Sequence, residues 1–415
     1  MRILSFLVLA FLITSHAGAA QAPASLGTAA GLGGAAVTEA RRADALAWNP
    51  ALLGVYDGPL RTTSLAALDA RLIPGGDGLK GAARLGLLSG RVEDRRFEFA
   101  GVLPGASPDA ELQLRWVAVQ SRGLALTLDT RFASDVRAPA ALGGELGIPG
   151  TDADAQEDGR AARSLTSVLA VGRGAYLGEL PVLGRVWTGA AAKGWWVHQY
   201  ARGSFLADLP AGAVYRETAL GQASGLGVDI GVAGLATGNL WYAVSASNVY
   251  TATFRPGSAP RARQVDVVDA AGGGVRFRET LSPEIRSDDP DPERLAAARD
   301  LWEETRYPSV IRAGASWRAG WGTLAAAVSE TLRTGGLEVA RGEPGRTLAW
   351  QNPAGRFRAS YGWGGSGNVV SAAVSGGRCD RRWTAGLRRS SRGGYGVAFD
   401  LSLSDWSCNL EAEGR

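Results

Sequence analysis

His198 is the residue whose type most suggests catalysis, because the other histidine of the 415-residue chain, His16, lies in a segment that is expected to be removed. A Ser-His-Asp hydrolase would have to use His198 as its general base. The residue stands in the run Trp195-Trp196-Val197-His198-Gln199-Tyr200, which is typical of a strand crossing a membrane interface. A single histidine is weak support for general-base catalysis. We therefore expect no catalytic residues and no enzyme, with a hydrolase as a remote alternative.

The sequence contains few residues that could form a metal or cofactor site. Asp288-Asp289-Pro290-Asp291 is an acidic run without the glycine and distal glutamate of a calcium loop. Gly31-Leu32-Gly33-Gly34 resembles a phosphate-binding turn, but no predicted strand precedes it. No histidine or cysteine pair has the spacing of metal ligands. The sequence predicts neither a metal nor a cofactor, and it predicts a solvated loop at the acidic run.

The N-terminus has the layout of a secretory signal peptide. Arg2 supplies the positive charge, residues 3–13 are apolar, and Ala17-Gly18-Ala19 offers small residues for cleavage. The apolar run is too short to span a bilayer as a helix. We expect residues 1–20 to be a cleaved signal peptide and the mature chain to be exported to the outer membrane.

From about residue 61 onward the sequence alternates with a period of two, which indicates β-strands with one apolar and one polar face. In 226–232, for example, Leu226, Val228 and Ile230 alternate with Gly227 and Asp229. Similar segments are 112–118, 124–129, 311–318 and 395–404. The chain also has 13 tryptophans, many of them near segment ends, where a membrane-interface girdle would need them.

A large soluble β-sandwich would show the same alternation. The segments are about 9–12 residues long, however, and this length suits tilted membrane strands. We therefore predict an all-β fold, an antiparallel transmembrane β-barrel over residues 61–415, with about 14 strands. The alternative is about 16 strands, because 212–221 and 337–350 are ambiguous.

Two insertions and the charge balance bear on possible partners. Residues 135–163 and 255–308 are predicted loops, and 292–305 within the second has helical spacing. Loop 255–308 is a possible site for a protein partner. A net charge of +4 is no nucleic-acid signature, so the expected partners are outer-membrane lipid and a hydrophobic small molecule, without nucleic acid.

The two cysteines, Cys379 and Cys408, leave a disulfide open. A two-residue turn at Gly393-Gly394 would place them opposite each other, at a distance that suits a disulfide. Matching the apolar faces of Trp383 and Phe399 requires a register shifted by one residue, which lipid burial favours. A bulge beyond the membrane would reconcile the two registers.

Three short motifs resemble those of FadL-like outer-membrane barrels. The first is Ala47-Trp48-Asn49-Pro50-Ala51, which is similar to the Asn-Pro-Ala signature between signal peptide and first strand. The second is Gly225-Leu226-Gly227-Val228-Asp229-Ile230-Gly231, with a following strand that ends at Asn248. The third is Tyr307-Pro308, which leads into 310–317. The chain thus resembles a superfamily of long-chain fatty-acid transporters and PorV-, PorQ- and TraF-like relatives.

The resemblance implies a barrel whose N-terminal segment, residues 21–60, plugs the lumen as a hatch. Hydrophobic molecules would pass the hatch and leave sideways into the membrane. The resemblance also implies roles for individual residues: Trp48, Asn49, Pro50 and Ala51 would form the hatch motif, and Leu52, Leu53 and Val55 would line an apolar ligand path. The alternative is a PorV-like structural or secretion-accessory barrel without transport, in which Asn-Pro-Ala is only a structural turn.

Overall fold

The structure is a computed structural model that describes most of the chain beyond the predicted signal peptide. The described residues are 29, 31–55, 61–72, 110–137, 160–206, 214–220, 223–254, 261–270, 274–285, 288–296, 298, 307–333, 345–364, 368–377, 381–390 and 395–404. The predicted signal peptide and both cysteines lie outside these residues. No helix among the described residues has the length and apolar character needed to cross a membrane.

Seventeen strands of the described residues form one sheet, and all their pairings are antiparallel. The first nine are β1 Arg61–Leu72, β2 Ala110–Ser121, β3 Leu124–Arg137, β4 Arg160–Leu180, β5 Gly184–Leu206, β6 Val214–Leu220, β7 Ala223–Thr237, β8 Leu240–Phe254 and β9 Arg261–Ala270. The others are β10 Gly274–Glu284, β11 Ser309–Ala319, β12 Gly322–Arg333, β13 Arg346–Gln351, β14 Phe357–Trp363, β15 Val369–Gly377, β16 Arg381–Ser390 and β17 Tyr395–Ser404.

The sheet closes into a ring, because β17 pairs with β1. Counted around the ring, the seventeen strands occupy fourteen positions, because at three of these positions two strands lie end to end. β6 and β7 both pair with β5, one above the other. β9 continues β8, and β10 lies above β11. This confirms the predicted antiparallel barrel of about 14 strands.

The two faces of the wall have opposite chemistry, as the alternation predicted. Outward side chains are large, apolar and exposed; examples are Leu126, Val171, Leu226, Ile230, Val244, Leu324, Val370 and Phe399. Inward side chains are small or polar and buried; examples are Thr127, Asp129, Ser164, Asp229, Ser245, Arg312, Ser329, Thr347 and Ser371. This is the distribution of a transmembrane barrel with a filled polar lumen.

The alternation within β2 is interrupted, which the sequence did not show. Leu114, Trp116 and Ala118 were expected on one face. Trp116 does face outward, but a bulge between Arg115 and Val117, opposite β3, turns Ala118 inward. A β-bulge adds one residue to one strand, and the residues beyond it therefore change face.

The prediction that 255–308 is a loop was wrong in its first part, because this segment contains β9 and β10. Both strands carry many charged residues, such as Arg263 and Asp266, and pair beside β6 above the apolar band. They therefore lacked the apolar face that marked the other strands. Among the described residues of the expected helix, 292–296 and 298 are helical. The ends of the other predicted loop, 135–163, likewise belong to β3 and β4.

Inside the ring, residues 31–55 form the hatch, a chain of short helical segments. These are Gly33–Ala35 and Arg42–Asp44, both 3-10 helices, and the α-helical turns Ala36–Glu39, Ala45–Trp48 and Leu52–Val55. Most of their apolar side chains are fully buried, and they pack against inward alanines of the wall, such as Ala125, Ala170 and Ala233. The hatch buries its core against the barrel, which explains why segments of four residues are helical at all.

Candidate functional site

Asn49 seats the hatch against the wall. Its side chain is fully buried, and its Nδ2 donates to the Val232 carbonyl of β7 at 3.1 Å and to the Val37 carbonyl at 3.4 Å. Its Oδ1 accepts from the backbone N–H of Ala51 at 3.0 Å, which closes the turn around Pro50. One amide thus bridges the wall and two parts of the hatch.

Three glycines in register provide the surface on which this turn lies. Gly174 of β4 pairs with Gly189 of β5, and Gly189 pairs with Gly231 of β7. We call these three residues the glycine track. A Cβ on Gly231 would lie 2.0 Å from Asn49 Oδ1, and one on Gly189 would lie 2.4 Å from the carbonyl carbon of Pro50. The track is therefore bare because the hatch backbone occupies the space of the missing side chains.

Buried carboxylates anchor the hatch elsewhere on the wall. Asp44 accepts from Arg115 at 2.5 Å, and the same guanidinium binds Asp129 of β3 at 2.8 Å. Glu39 accepts from Ser316 and, at 2.9 Å, from Gln351. Since a buried carboxylate needs such donors, these contacts fix the rotation of the hatch in the lumen.

A second cluster lies on the long-loop side of the hatch, where β5, β7 and β8 adjoin. Trp195 is fully buried and lies over Gly225 and Gly227, where any Cβ would meet its indole. Asp229 forms an ion pair with Lys193 and accepts from the backbone N–H of Asn248 at 2.8 Å. The glycine-rich motif therefore supplies space for one indole and a carboxylate for the next strand.

The Tyr307-Pro308 segment completes this cluster from the loop before β11. Asn248 has a left-handed backbone, with φ of 54°, and its Nδ2 donates to the Pro308 carbonyl at 2.8 Å. The Tyr307 ring packs edge-on against Trp195 at 5.3 Å, and its hydroxyl donates to Thr166 at 3.1 Å. Burial raises the pKa of the Tyr307 phenol, so the hydroxyl stays protonated.

A cavity of about 110 Å³ lies between the hatch and this segment. We call it the lumen cavity. Its apolar surface comes from Ala47, Val168, Ala170, Trp195, Tyr307, Pro308 and Val310, and its polar surface from Gln113, Thr127, Asp129, Arg131, Lys193, Ser247, Asn248 and Arg312. The lining thus combines aromatic rings with charged groups, which suits a small molecule with an apolar body.

Beside this cavity, the strand pairing of the described residues is discontinuous. β8 pairs with β11 up to Ser247 and Val310, and the ladder resumes at Arg261 and Glu284 between β9 and β10. Among the described residues, no ladder pair joins these two ring positions in between. We call this stretch the wall break. Asn248 and Pro308, which line the lumen cavity, lie at its lower edge.

The structure brings together residues that the sequence placed in three separate motifs. Asn49 contacts Gly231, while Asp229, Asn248 and Pro308 form one hydrogen-bonded cluster. The residues expected to line a ligand path lie in the hatch itself. Leu52 and Leu53 are fully buried in its core, and Val55 packs at its edge. Trp195, Lys193 and Arg312 were not singled out, although inward charged residues within apolar strands were visible in the sequence.

The residues considered for catalysis and metal binding lie elsewhere. His198 is exposed on the outer wall and contacts Ser167 of β4. In the acidic run, Asp289 pairs with Arg294, and Asp291 caps the helical turn at 292–296. No cluster of three or more metal-ligating side chains occurs in the described part of the chain.

The register of β16 and β17 bears on the proposed disulfide. Trp383 pairs with Leu401 and Ala385 with Phe399, so the apolar faces match as lipid burial favours. In the same register Tyr395 pairs with Arg389, whereas the predicted two-residue turn would pair Tyr395 with Arg392. Cys379 and Cys408 themselves lie outside the described residues.

Several solved outer-membrane proteins are similar to this chain. The toluene transporter TodX of Pseudomonas putida gives a TM-score of 0.46 at 10% sequence identity, over 94% of this chain and 99% of that chain. The CymD monoaromatic hydrocarbon channel gives 0.40 at 10% identity, over 90% and 96%. The translocator domain of the autotransporter NalP from Neisseria meningitidis gives 0.30 at 10% identity, over 83% and 88%.

No protein-family model and no curated protein matches the chain. The fold assignment therefore rests on the closed strand pairing and on the hatch inside it. The chain folds as an antiparallel transmembrane β-barrel with its N-terminal segment in the lumen, and its three motifs resemble those of FadL-like barrels.

Proposed function

We propose that this barrel transports small hydrophobic molecules across the outer membrane. The observation that carries the proposal is the position of the lumen cavity, which lies directly above the hatch and beside the wall break. A ligand in this cavity has a closed hatch below it and the wall break at its side. Such a cavity is a binding site on a path that the hatch closes, whereas an open pore would have no hatch.

The size and lining of the cavity favour a ligand of about one ring. An apolar cavity of about 150 Å³ holds benzene, and the lumen cavity has about 110 Å³ before any side chain moves. Trp195 and Tyr307 offer ring faces and edges for stacking. The proposed ligand is therefore a small aromatic or similarly compact apolar molecule.

The exit that we propose is the wall break. Two hydrogen bonds hold its lower edge, from Asn248 Nδ2 to the Pro308 carbonyl and from Ser309 Oγ to the Asn248 carbonyl. A shift of Tyr307-Pro308 would open the cavity towards the lipid. For passage towards the other side, the hatch must loosen from the glycine track. Leu52, Leu53 and Val55 would then line the path, as the resemblance implied.

Filling the lumen cavity tests the proposal. In Ala47→Trp an indole would occupy the cavity, so uptake of radiolabelled toluene by cells carrying the barrel is expected to fall to that of cells without it. The control is Ala190→Trp, whose side chain points outward from β5. Uptake above the background in the wild type but not in Ala47→Trp supports transport. Equal uptake by all three barrels and by cells without a barrel would refute it.

The second candidate is a structural or secretion-accessory barrel that presents its loops to a protein partner. The observation that favours it is the upper sheet of β6, β9 and β10, which carries the wall beyond the apolar band and bears many charges. Deletion of 261–284 would then abolish partner capture from cell envelopes, whereas toluene uptake would be absent from the wild type as well.

A further inference from the structure

A row of hydrogen-bonded polar side chains crosses the outer, lipid-facing wall from β2 to β5. Trp116 Nε1 donates to Thr130 Oγ1 at 2.8 Å, and Thr130 Oγ1 lies 3.0 Å from Ser167 Oγ. Ser167 Oγ lies 2.8 Å from His198 Nε2. The same face of β4 continues with exposed Leu169, which shows that Ser167 points outward and not into the lumen.

A bulge in β5 begins at His198. The residue faces outward with Trp196, by ordinary alternation, and its ring lies diagonally across from Ser167. Thr166 pairs with Val197 and Leu165 with Gln199, so His198 is left without a ladder partner and the face changes beyond it, where Tyr200 is buried. Bulges are frequent beside functional sites.

The row has a direction. The indole N–H of Trp116 only donates, so Thr130 accepts there. When neutral His198 carries its proton on Nδ1, Ser167 donates to Nε2 and Thr130 donates to Ser167. In this chain every hydroxyl donates once, and each bond polarises the next. A serine that donates to a neutral imidazole is the arrangement of an activated nucleophile and its general base.

The surroundings define what could reach this serine. Polar and ionisable groups on a lipid-facing surface are costly, and they commonly have a function. Trp116, which begins the row, and Trp196, which pairs with Ser167, are both exposed, as in the aromatic belt at a membrane–water interface. The carboxylic esters of membrane lipids lie at that depth, next to the aromatic belt.

We propose that Ser167 and His198 form a lipid-facing esterase site that cleaves acyl esters of membrane lipids. Ser167 Oγ attacks the ester carbonyl carbon, and its proton passes to His198 Nε2. The carbon–oxygen bond of the ester breaks, and the alcohol leaves with that proton. Water then attacks the acyl-serine through the same histidine, which releases the fatty acid and restores Ser167.

The test uses the full-length barrel, folded in detergent. A fluorescent fluorophosphonate reports a nucleophilic serine, and fatty-acid release from phosphatidylethanolamine in mixed micelles reports turnover. We expect the label to be mapped to Ser167 by mass spectrometry, to be absent in Ser167→Ala, and to form at least about 100-fold more slowly in His198→Ala. Fatty-acid release should fall in parallel in both variants.

The matched control is Ser375→Ala. Ser375 Oγ lies 2.9 Å from the Thr384 hydroxyl on the next strand, which is a hydroxyl pair with a threonine where Ser167 has a histidine. Labelling and fatty-acid release should be unchanged in it, and heat modifiability on a gel verifies that each variant is folded. An unlabelled Ser167 in the folded wild type would overturn the proposal, as would labelling that is equally fast in His198→Ala. Neither outcome affects toluene uptake, so the proposed transport is tested separately.

Discussion

The hatch meets two parts of the barrel wall, and each holds it by different means. Against β4, β5 and β7 the contact is one of shape, because the glycine track lets the backbone of Pro50 lie directly on the strands. Against β2, β3, β11 and β13 the contact is ionic or hydrogen-bonded, through Asp44 and Glu39.

The difference bears on how the hatch could move. A close backbone contact fails when a single methyl group is added, but it has no charge to neutralise when the hatch lifts. A buried carboxylate tolerates small shifts, yet its separation from the donors leaves a charge in a poorly hydrated place. We infer that the hatch would loosen first from the glycine track and pivot about the carboxylate anchors.

Arg115→Met would be the most severe test of the ionic side. It removes the guanidinium that lies between Asp44 and Asp129, and breaking a buried pair in this way costs about 4 kcal/mol. Guanidinium chloride titration in detergent, followed by tryptophan fluorescence, measures the loss. Arg173→Met, on the exposed outer face of β4, is the control. An equal stability of the two variants would contradict the role of the anchor.

Gly231→Ala tests the shape side with one methyl group. Its Cβ would lie 2.0 Å from Asn49 Oδ1, and such overpacking costs about 3 kcal/mol. The hatch should no longer pack closely against the glycine track, so the purified barrel should conduct ions in a planar bilayer. Gly194→Ala is the control, since its Cβ would meet nothing nearer than 3.5 Å. Conductance as low as that of the control would show that the glycine track is dispensable.

Asn49→Ala removes the side-chain amide that bonds the hatch to β7 and closes the turn around Pro50. The carbonyl of Val232 and the N–H of Ala51 would lose their partners inside the protein, at a cost of about 2 kcal/mol. The denaturation midpoint should fall, but less than in Arg115→Met. A Gly231→Ala/Asn49→Ala double variant should be less destabilised than the two single effects added, because the clash disappears with the amide. Strict additivity would argue against direct contact.

Glu39→Gln should have the smallest effect. The amide keeps the shape of the carboxylate and still accepts from Gln351 or Ser316. The loss is the charge-assisted part of these bonds and the ion pair with Arg318 at 3.5 Å, together about 1 kcal/mol. The same denaturant titration measures it. A loss as large as that of Arg115→Met would mean that the charge of Glu39, and not its position, holds the hatch.

Much of the barrel could be read from the alternation, because a strand between lipid and a polar lumen must change chemistry at every residue. Leu226, Ile230 and Val232 face outward, as their pattern predicted. The alternation did not predict β9 and β10, because strands that rise above the lipid carry no apolar face. The alternation also did not predict the bulges at Trp116 and His198, since the partner strand sets where a strand changes face.

The sequence by itself determined that the chain is a closed set of amphipathic strands, and its short motifs marked the residues of the hatch. Only the tertiary structure decided that Asn49 meets Gly231, that Asn248 holds Pro308, and that Ser167 lies against His198. The members of each pair are at least 31 residues apart along the chain, and no local preference links them. Strand register brings them together, and register depends on the whole ring closing at once.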